Sequence, residues 1–269
     1  MKIRRWILGK LLGTLPGETK RRLGVHLGVP DLRWSLFQLR KFGFAPQHVM
    51  DVGAFQGEWA KACVSLFPRA DILCVEPQEC QQAALRALAD GCRNIRLIQT
   101  LLGSRELDGV PFRDTGSGSS VLFGAPGNSP TRAMTTIDTL IASGICAPPQ
   151  FIKLDVQGYE LEVLEGWQSG FEMCQVIQCE ISLIPIAPGA PLIDEVVSYL
   201  AGRGFVMWDV TELIRAPSDG AVWQIDALFC RRESALRTDR RWRLPGRDAV
   251  KTVWEELGAE KQSDADPHR

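Results

Sequence analysis

The segment Val49-Met-Asp-Val-Gly-Ala-Phe-Gln-Gly-Glu58 carries an apolar run into a turn of the form Asp-x-Gly-x-x-x-Gly, and a helix-like pattern follows. A strand must stop there, at a place where the backbone needs glycine's freedom to approach a ligand closely. A second apolar run, Leu73-Cys-Val-Glu-Pro77, ends on Glu76, 25 residues beyond Asp51. In a doubly wound α/β sheet that pairing holds a nucleoside: the glycine turn takes one end of the ligand, and an acid at the end of the next strand takes the two ribose hydroxyls.

The composition of the turn separates two kinds of ribose ligand. Dinucleotide sites use Gly-x-Gly-x-x-Gly, because a pyrophosphate lies against bare backbone at a helix N-terminus. Here Phe55 stands in place of the second glycine and Asp51 precedes Gly53 by two. A carboxylate repels a pyrophosphate, whereas it is favourable near the ammonium and sulfonium of S-adenosylmethionine. The turn therefore reads as a methyl-donor site. Asp51 as a mere strand-end cap is the plainer alternative.

Apolar runs alternate with helical patterns along the chain. A helix over 31–42 ends at Gly43, and strands over 48–53, 71–76 and 94–101 enclose helices over 57–67 and 79–90. A polar stretch, Asp114-Thr-Gly-Ser-Gly-Ser-Ser120, and then residues 124–130 read as a mobile loop. Order resumes at Thr136-Ile-Asp-Thr-Leu140, with Asp138 as the expected helix N-cap. Strands follow over 151–155, 174–183, 205–210 and 224–230, with helices over 159–164 and 192–201 between them. Seven strands so spaced predict an open, mostly parallel sheet covered by helices on both faces.

The 269 residues, 45% hydrophobic, suffice for one large core. A basic extension over 1–30, a folded domain over 31–232 and a charged tail over 233–269, helical over 247–257, are expected. The net charge of −1 hides an asymmetry, since residues 23–230 carry 14 bases against 23 acids between basic flanks. An acidic core argues against nucleic-acid binding. Residues 1–15 are basic and apolar and would suit an anionic membrane surface, although a packed or frayed terminal helix is the plainer reading. Eight cysteines without a Cys-x-x-Cys pair, several inside strand-like runs, fit a reduced, cytoplasmic protein. No membrane span or secretory signal is evident.

Ligands of such sheets gather at the carboxyl ends of the strands. Asp51, Glu76, Asp155 and Glu180 all fall at predicted strand ends. Lys153 lies two residues before Asp155 and so projects to the same face. Methyl transfer to an alcohol needs a base to take the hydroxyl proton as the new bond forms, and Asp155 is the best placed candidate. Lys153 would orient it or stabilise a developing alkoxide. Two other roles stay open: Asp155 as a ligand of the donor's ammonium, and Lys153 as its structural partner. Glu180, in a strongly apolar strand, is either functional or in a buried ion pair; a cation shared with Asp155 would rest on a thin ligand set, and no metal is expected. Glu160 reads as a cap or dipole residue, His26, His48 and His268 as surface or packing residues, and Trp59 and Trp167 as core or as walls of the site. Ser117, Ser119 and Ser120 would form either a lid or a plain loop.

Together, residues 49–59, Val75-Glu-Pro77, Leu101-Leu-Gly103, Gly118-Ser-Ser120, Thr136-Ile-Asp-Thr-Leu140 and, most specifically, Phe151-Ile-Lys-Leu-Asp-Val-Gln-Gly-Tyr-Glu-Leu-Glu-Val-Leu-Glu-Gly166 resemble the FkbM family of S-adenosylmethionine-dependent methyltransferases over about 30–232. The resemblance implies a Rossmann-like class I methyltransferase fold and O-methylation of a hydroxyl on a sugar, glycan or small natural product. It assigns donor binding to Asp51, Gly53, Gly57 and Glu76, and the reaction site to Lys153, Asp155 and Glu180; Ala54, Phe55, Pro77 and Leu102 are expected to complete the donor site. Ala54-Phe55 departs from the Ala-Asn usual at such turns. An NAD(P)-dependent nucleotide-sugar enzyme would need a Tyr-x-x-x-Lys or similar set, and neither Tyr159 nor Tyr199 is followed by lysine at that spacing. A methyltransferase-like binding protein without turnover would have no need of the intact acid and glycine set.

Overall fold

A computed structural model describes residues 16–26, 28–114, 116–124 and 129–237; residues 1–15 and the helix expected over 247–257 lie outside them. The chain divides into two units, Met1–Leu236 and Arg237–Arg269, and the elements below belong to the first. Helix α1 (Gly17–His26) leads to α2 (Leu32–Lys41), whose N-cap Asp31 accepts a hydrogen bond from the Trp34 N–H at 2.8 Å. Then come β1 (His48–Val52), α3 (Glu58–Leu66), β2 (Asp71–Val75), α4 (Gln82–Gly91) and β3 (Ile95–Ile98). A turn of 3₁₀ helix, Glu79–Gln81, precedes α4, so the helix predicted over 79–90 is composite.

After β3 the expected pattern breaks. The strand predicted over 94–101 is two, β3 and β4 (Leu101–Leu102), and β4 belongs to a second sheet with β5 (Leu107–Pro111) and β6 (Thr131–Thr135), ordered β4-β6-β5. Of the stretch expected to be a mobile loop, Gly116–Gly118 form a 3₁₀ turn and Ser120 bridges Arg113, while residues 125–128 lie outside the described residues. Helix α5 (Ile137–Ala142) is capped by Thr136, whose hydroxyl accepts the Thr139 N–H at 3.0 Å; Asp138 is not the cap. Its carboxylate instead accepts the N–H groups of Gln168 and Ser169, bonds made across the fold.

The chain returns through β7 (Phe151–Leu154), α6 (Glu160–Glu165), β8 (Val176–Ser182), α7 (Ile193–Gly202), β9 (Phe205–Arg215) and β10 (Val222–Arg231). The main sheet runs β3-β2-β1-β7-β8-β10-β9, with β10 antiparallel to both its neighbours. Every residue of β7 and β8 is buried, as a sheet covered on both faces requires.

The strand alternation gives those faces different chemistry. One face presents Met50, Val52, Ile152, Leu154, Ile177 and Cys179 to Val163, Leu164, Val196 and Leu200 in an apolar core. The other carries Asp51, Lys153 and Gln178, paired in register across β1, β7 and β8. Trp59 of α3 reaches this face, donating its indole N–H to Gln178 Oε1 at 2.8 Å with its ring against Phe151. Trp167 is fully buried, and its indole donates to the Ser169 carbonyl. Both tryptophans are core residues.

Candidate active site

The glycine turn is held in one geometry. Gly53 has φ +74, and a Cβ there would overlap the Asp155 carbonyl oxygen, so β1 and β7 meet at a contact that admits no side chain. The N–H groups of Gly53 and Ala54 both reach the Val75 carbonyl, at 2.9 and 3.1 Å. Gly57 is the left-handed N-cap of α3, and a Cβ on it would strike Leu88.

Backbone N–H groups fix Glu76 from two sides: Phe55 N–H donates to Oε2 at 2.8 Å and Gln78 N–H to Oε1 at 2.9 Å. Burial raises this carboxyl while the same bonds pull it down. Each oxygen keeps a second acceptor position, and Glu76 lines a pocket at the carboxyl ends of β1, β2 and β7. Of the residues expected from sequence, Gly53, Phe55, Glu76, Pro77, Leu102 and Asp155 line this pocket; Asp51, Ala54, Gly57, Lys153 and Glu180 do not. The pocket also takes Phe112, Ser119 and Val121 from the segment around the second sheet, and Gln157 and Tyr159 from the turn after β7. Sequence reasoning named Ser119, as part of either a lid or a plain loop, and missed the others, although Gln157 and Tyr159 stand inside its most specific block.

Beneath the pocket lies a buried charge cluster. Lys153, 5% exposed, donates to the Gly53 carbonyl at 2.6 Å and stands 3.3 Å from both Asp51 Oδ1 and Asp155 Oδ2. One carbonyl and two carboxylates thus surround the ammonium, the carbonyl by a hydrogen bond and the carboxylates as ion pairs. Burial alone would lower the lysine's pKa, but Asp155, Asp51 and Asp226 together raise it. Asp51 is fully buried, and neither of its oxygens is aligned to accept a hydrogen bond. Burial raises its carboxyl, opposed by Lys153.

Acids continue along the sheet. Glu180 of β8 pairs in register with Asp226 of β10, and Asp226 with Glu212 of β9. Burial, then Asp155, Glu160 and Asp226, push Glu180 well above the usual carboxylate range. Asp226, which the sequence did not single out, is pushed up to about 6 by burial and Asp155. Gln157 Nε2 donates to Asp155 Oδ1 at 2.9 Å and to Glu180 Oε2 at 2.6 Å, spanning the gap between the two carboxylates. Among the described residues no three His, Cys, Asp or Glu side chains converge as metal ligands.

A seven-stranded sheet with one antiparallel strand near its edge, a glycine turn after β1 and a ribose-type carboxylate after β2 define a Rossmann-like class I methyltransferase. Residues 51–207 match the methyltransferase FkbM domain. The chain belongs to the FkbM methyltransferase family, and S-adenosylmethionine is its cofactor. The residues present fit that donor, since the Glu76 carboxylate and the side-chain-free Gly53 face one pocket. No curated protein matches the sequence. Solved structures similar to the chain include a precorrin-6y C5,15-methyltransferase from Geobacter metallireducens, 13% identical over 74% of this chain and 87% of that one, with a TM-score of 0.41. A putative O-methyltransferase from Klebsiella pneumoniae is 10% identical over 74% and 78%, at 0.44. The 1,6-didemethyltoxoflavin-N1-methyltransferase of Burkholderia thailandensis is 11% identical over 74% and 76%, at 0.39.

Proposed function

We propose that the protein is an O-methyltransferase acting on a hydroxyl of a sugar, glycan or small natural product. The observation that carries this reading is Asp155: a carboxylate that lines the donor pocket and stands 3.3 Å from a buried lysine. When bound, S-adenosylmethionine supplies an electrophilic methyl group on a sulfonium. Glu76 holds the ribose hydroxyls, and Gly53 with Phe55 and Pro77 forms the wall beside it. Asp51 contributes the negative field that suits a sulfonium and an ammonium. Asp155 accepts the proton of the acceptor hydroxyl as its oxygen takes the methyl group. Lys153 positions Asp155, since its ammonium is bonded to the Gly53 carbonyl and held between the carboxylates of Asp51 and Asp155. Glu180, one strand further on, is tied to Asp155 through the Gln157 amide.

The test uses S-adenosylmethionine carrying a ¹³C methyl group and a panel of glycosides and polyols. The expected product signal is that of a methyl ether, and a methyl on nitrogen or carbon contradicts the reading. Asp155→Asn should cost transfer at least ~100-fold while S-adenosylhomocysteine affinity stays within about tenfold, ~1.4 kcal/mol. A collapse of donor binding in that variant would make Asp155 a ligand of the donor instead of the base.

A further inference from the structure

Gln157 occupies the left-handed region, at φ +55, where a side chain with a Cβ is strained. The surroundings clamp it there. Glu160 Oε1 accepts the N–H groups of Val156 and Gly158, on either side of it, each at 3.1 Å. Ser120 Oγ donates to the Gln157 carbonyl at 2.8 Å and accepts the Leu122 N–H at 3.1 Å, tying the serine loop to this turn. Gly158 follows at φ +92, where a Cβ would press on Leu122 and Ala190.

What this clamp fixes is the side-chain amide, whose two N–H groups reach Asp155 Oδ1 and Glu180 Oε2. Those two acids stand at the ends of neighbouring strands and repel each other, with Lys153 and Asp51 on the same face of the sheet, Glu160 on α6 and Asp226 on β10 as the other charges about them. A second cation here would bind both acids and reduce the basicity of Asp155; a third carboxylate would drive them apart. An amide donates to both without adding charge.

We propose that Gln157 is a positioning residue that joins Asp155, at the pocket, and Glu180, behind it, into one rigid unit. The proposal rests on the reading of Asp155 as base. The decisive variant is Gln157→Gly in the full chain, because glycine adopts the same backbone without strain and lacks only the amide. Thermal stability should be kept, which a purely structural role for the side chain does not predict. The Glu180 carboxyl titration, followed by ¹³C NMR of labelled glutamate and assigned with Glu180→Gln, should move upward by about 1 pH unit, because a donor to the charged form has been removed. Gln157→Asn, whose amide is one methylene short, should give the same shift. An unchanged Glu180 titration in both variants overturns the proposal. The titration is read without ligand, so it stands apart from donor binding by the wild type, on which the donor assignment depends.

Discussion

Replacing Glu160 by glutamine isolates the electrostatic cost of the turn that carries Asp155. Glu160 is 3% exposed. Burial raises its carboxyl from the ordinary 4.5 to about 7, against the pull of the N–H groups of Gly158 and Val156 and with a push from Asp155. In the unfolded chain the group ionises near 4.5, and in the folded chain near 7. Below the first value both states hold the proton and its contribution to stability is complete. Between the two values the unfolded chain gives up its proton first, so stability falls as pH rises; above the second the loss is full, about 3 kcal/mol. Glutamine can accept the same two N–H bonds through Oε1 and has no proton to lose. Glu160→Gln should therefore match wild type near pH ~4.5 and exceed it by about 3 kcal/mol near pH ~8. Urea denaturation of both proteins across that range reads the difference directly. Two parallel stability profiles, with no relative gain for the variant as pH rises, would refute the reasoning.

Lys153→Met should destabilise the fold by about 3–5 kcal/mol at neutral pH, because it leaves Asp51 and Asp155 without their buried cation; the deficit should shrink as pH falls and Asp51 takes up a proton, which denaturation at two pH values would reveal. Gly53→Ala should cost at least ~2 kcal/mol from the left-handed backbone and the overlap with the Asp155 carbonyl, and should abolish S-adenosylhomocysteine binding, measured by calorimetry. A stable Gly53→Ala protein that binds normally would show that the turn is not the tight contact described.

The main sheet was legible because its central strands are largely apolar runs, and β1, β2 and β7 end beside a glycine turn or an acid. Val49–Val52 and Phe151–Leu154 read as strands for the same reason that they are buried. The second sheet was not legible. Leu107–Pro111 is exposed at three of five positions, contains Gly109 at φ +69 and ends on proline, so neither alternation nor strand propensity marks it. Thr136 and Asp138 are both good caps, and the choice between them was decided by Gln168 and Ser169, thirty residues away in sequence. Asp226 acquires its meaning only from the antiparallel register that sets it beside Glu180. Gln157 was in plain view, yet its use depends on a left-handed backbone and on a carboxylate from the next strand. Phe112 and Val121 reach the pocket from a segment whose path no local pattern predicts, beside Ser119, which the sequence offered as a lid residue. No helix among the described residues is long and apolar enough to cross a membrane.

The central claim is that Glu76 and the glycine turn form a donor site for S-adenosylmethionine. It is tested most directly by calorimetric titration of the full chain with S-adenosylhomocysteine and, separately, NAD, for wild type and Glu76→Ala. The account predicts micromolar binding of S-adenosylhomocysteine alone, weakened at least ~10-fold in the variant as the charged hydrogen bonds to the ribose are lost. Binding of NAD instead, or binding of S-adenosylhomocysteine that is indifferent to Glu76, would contradict it.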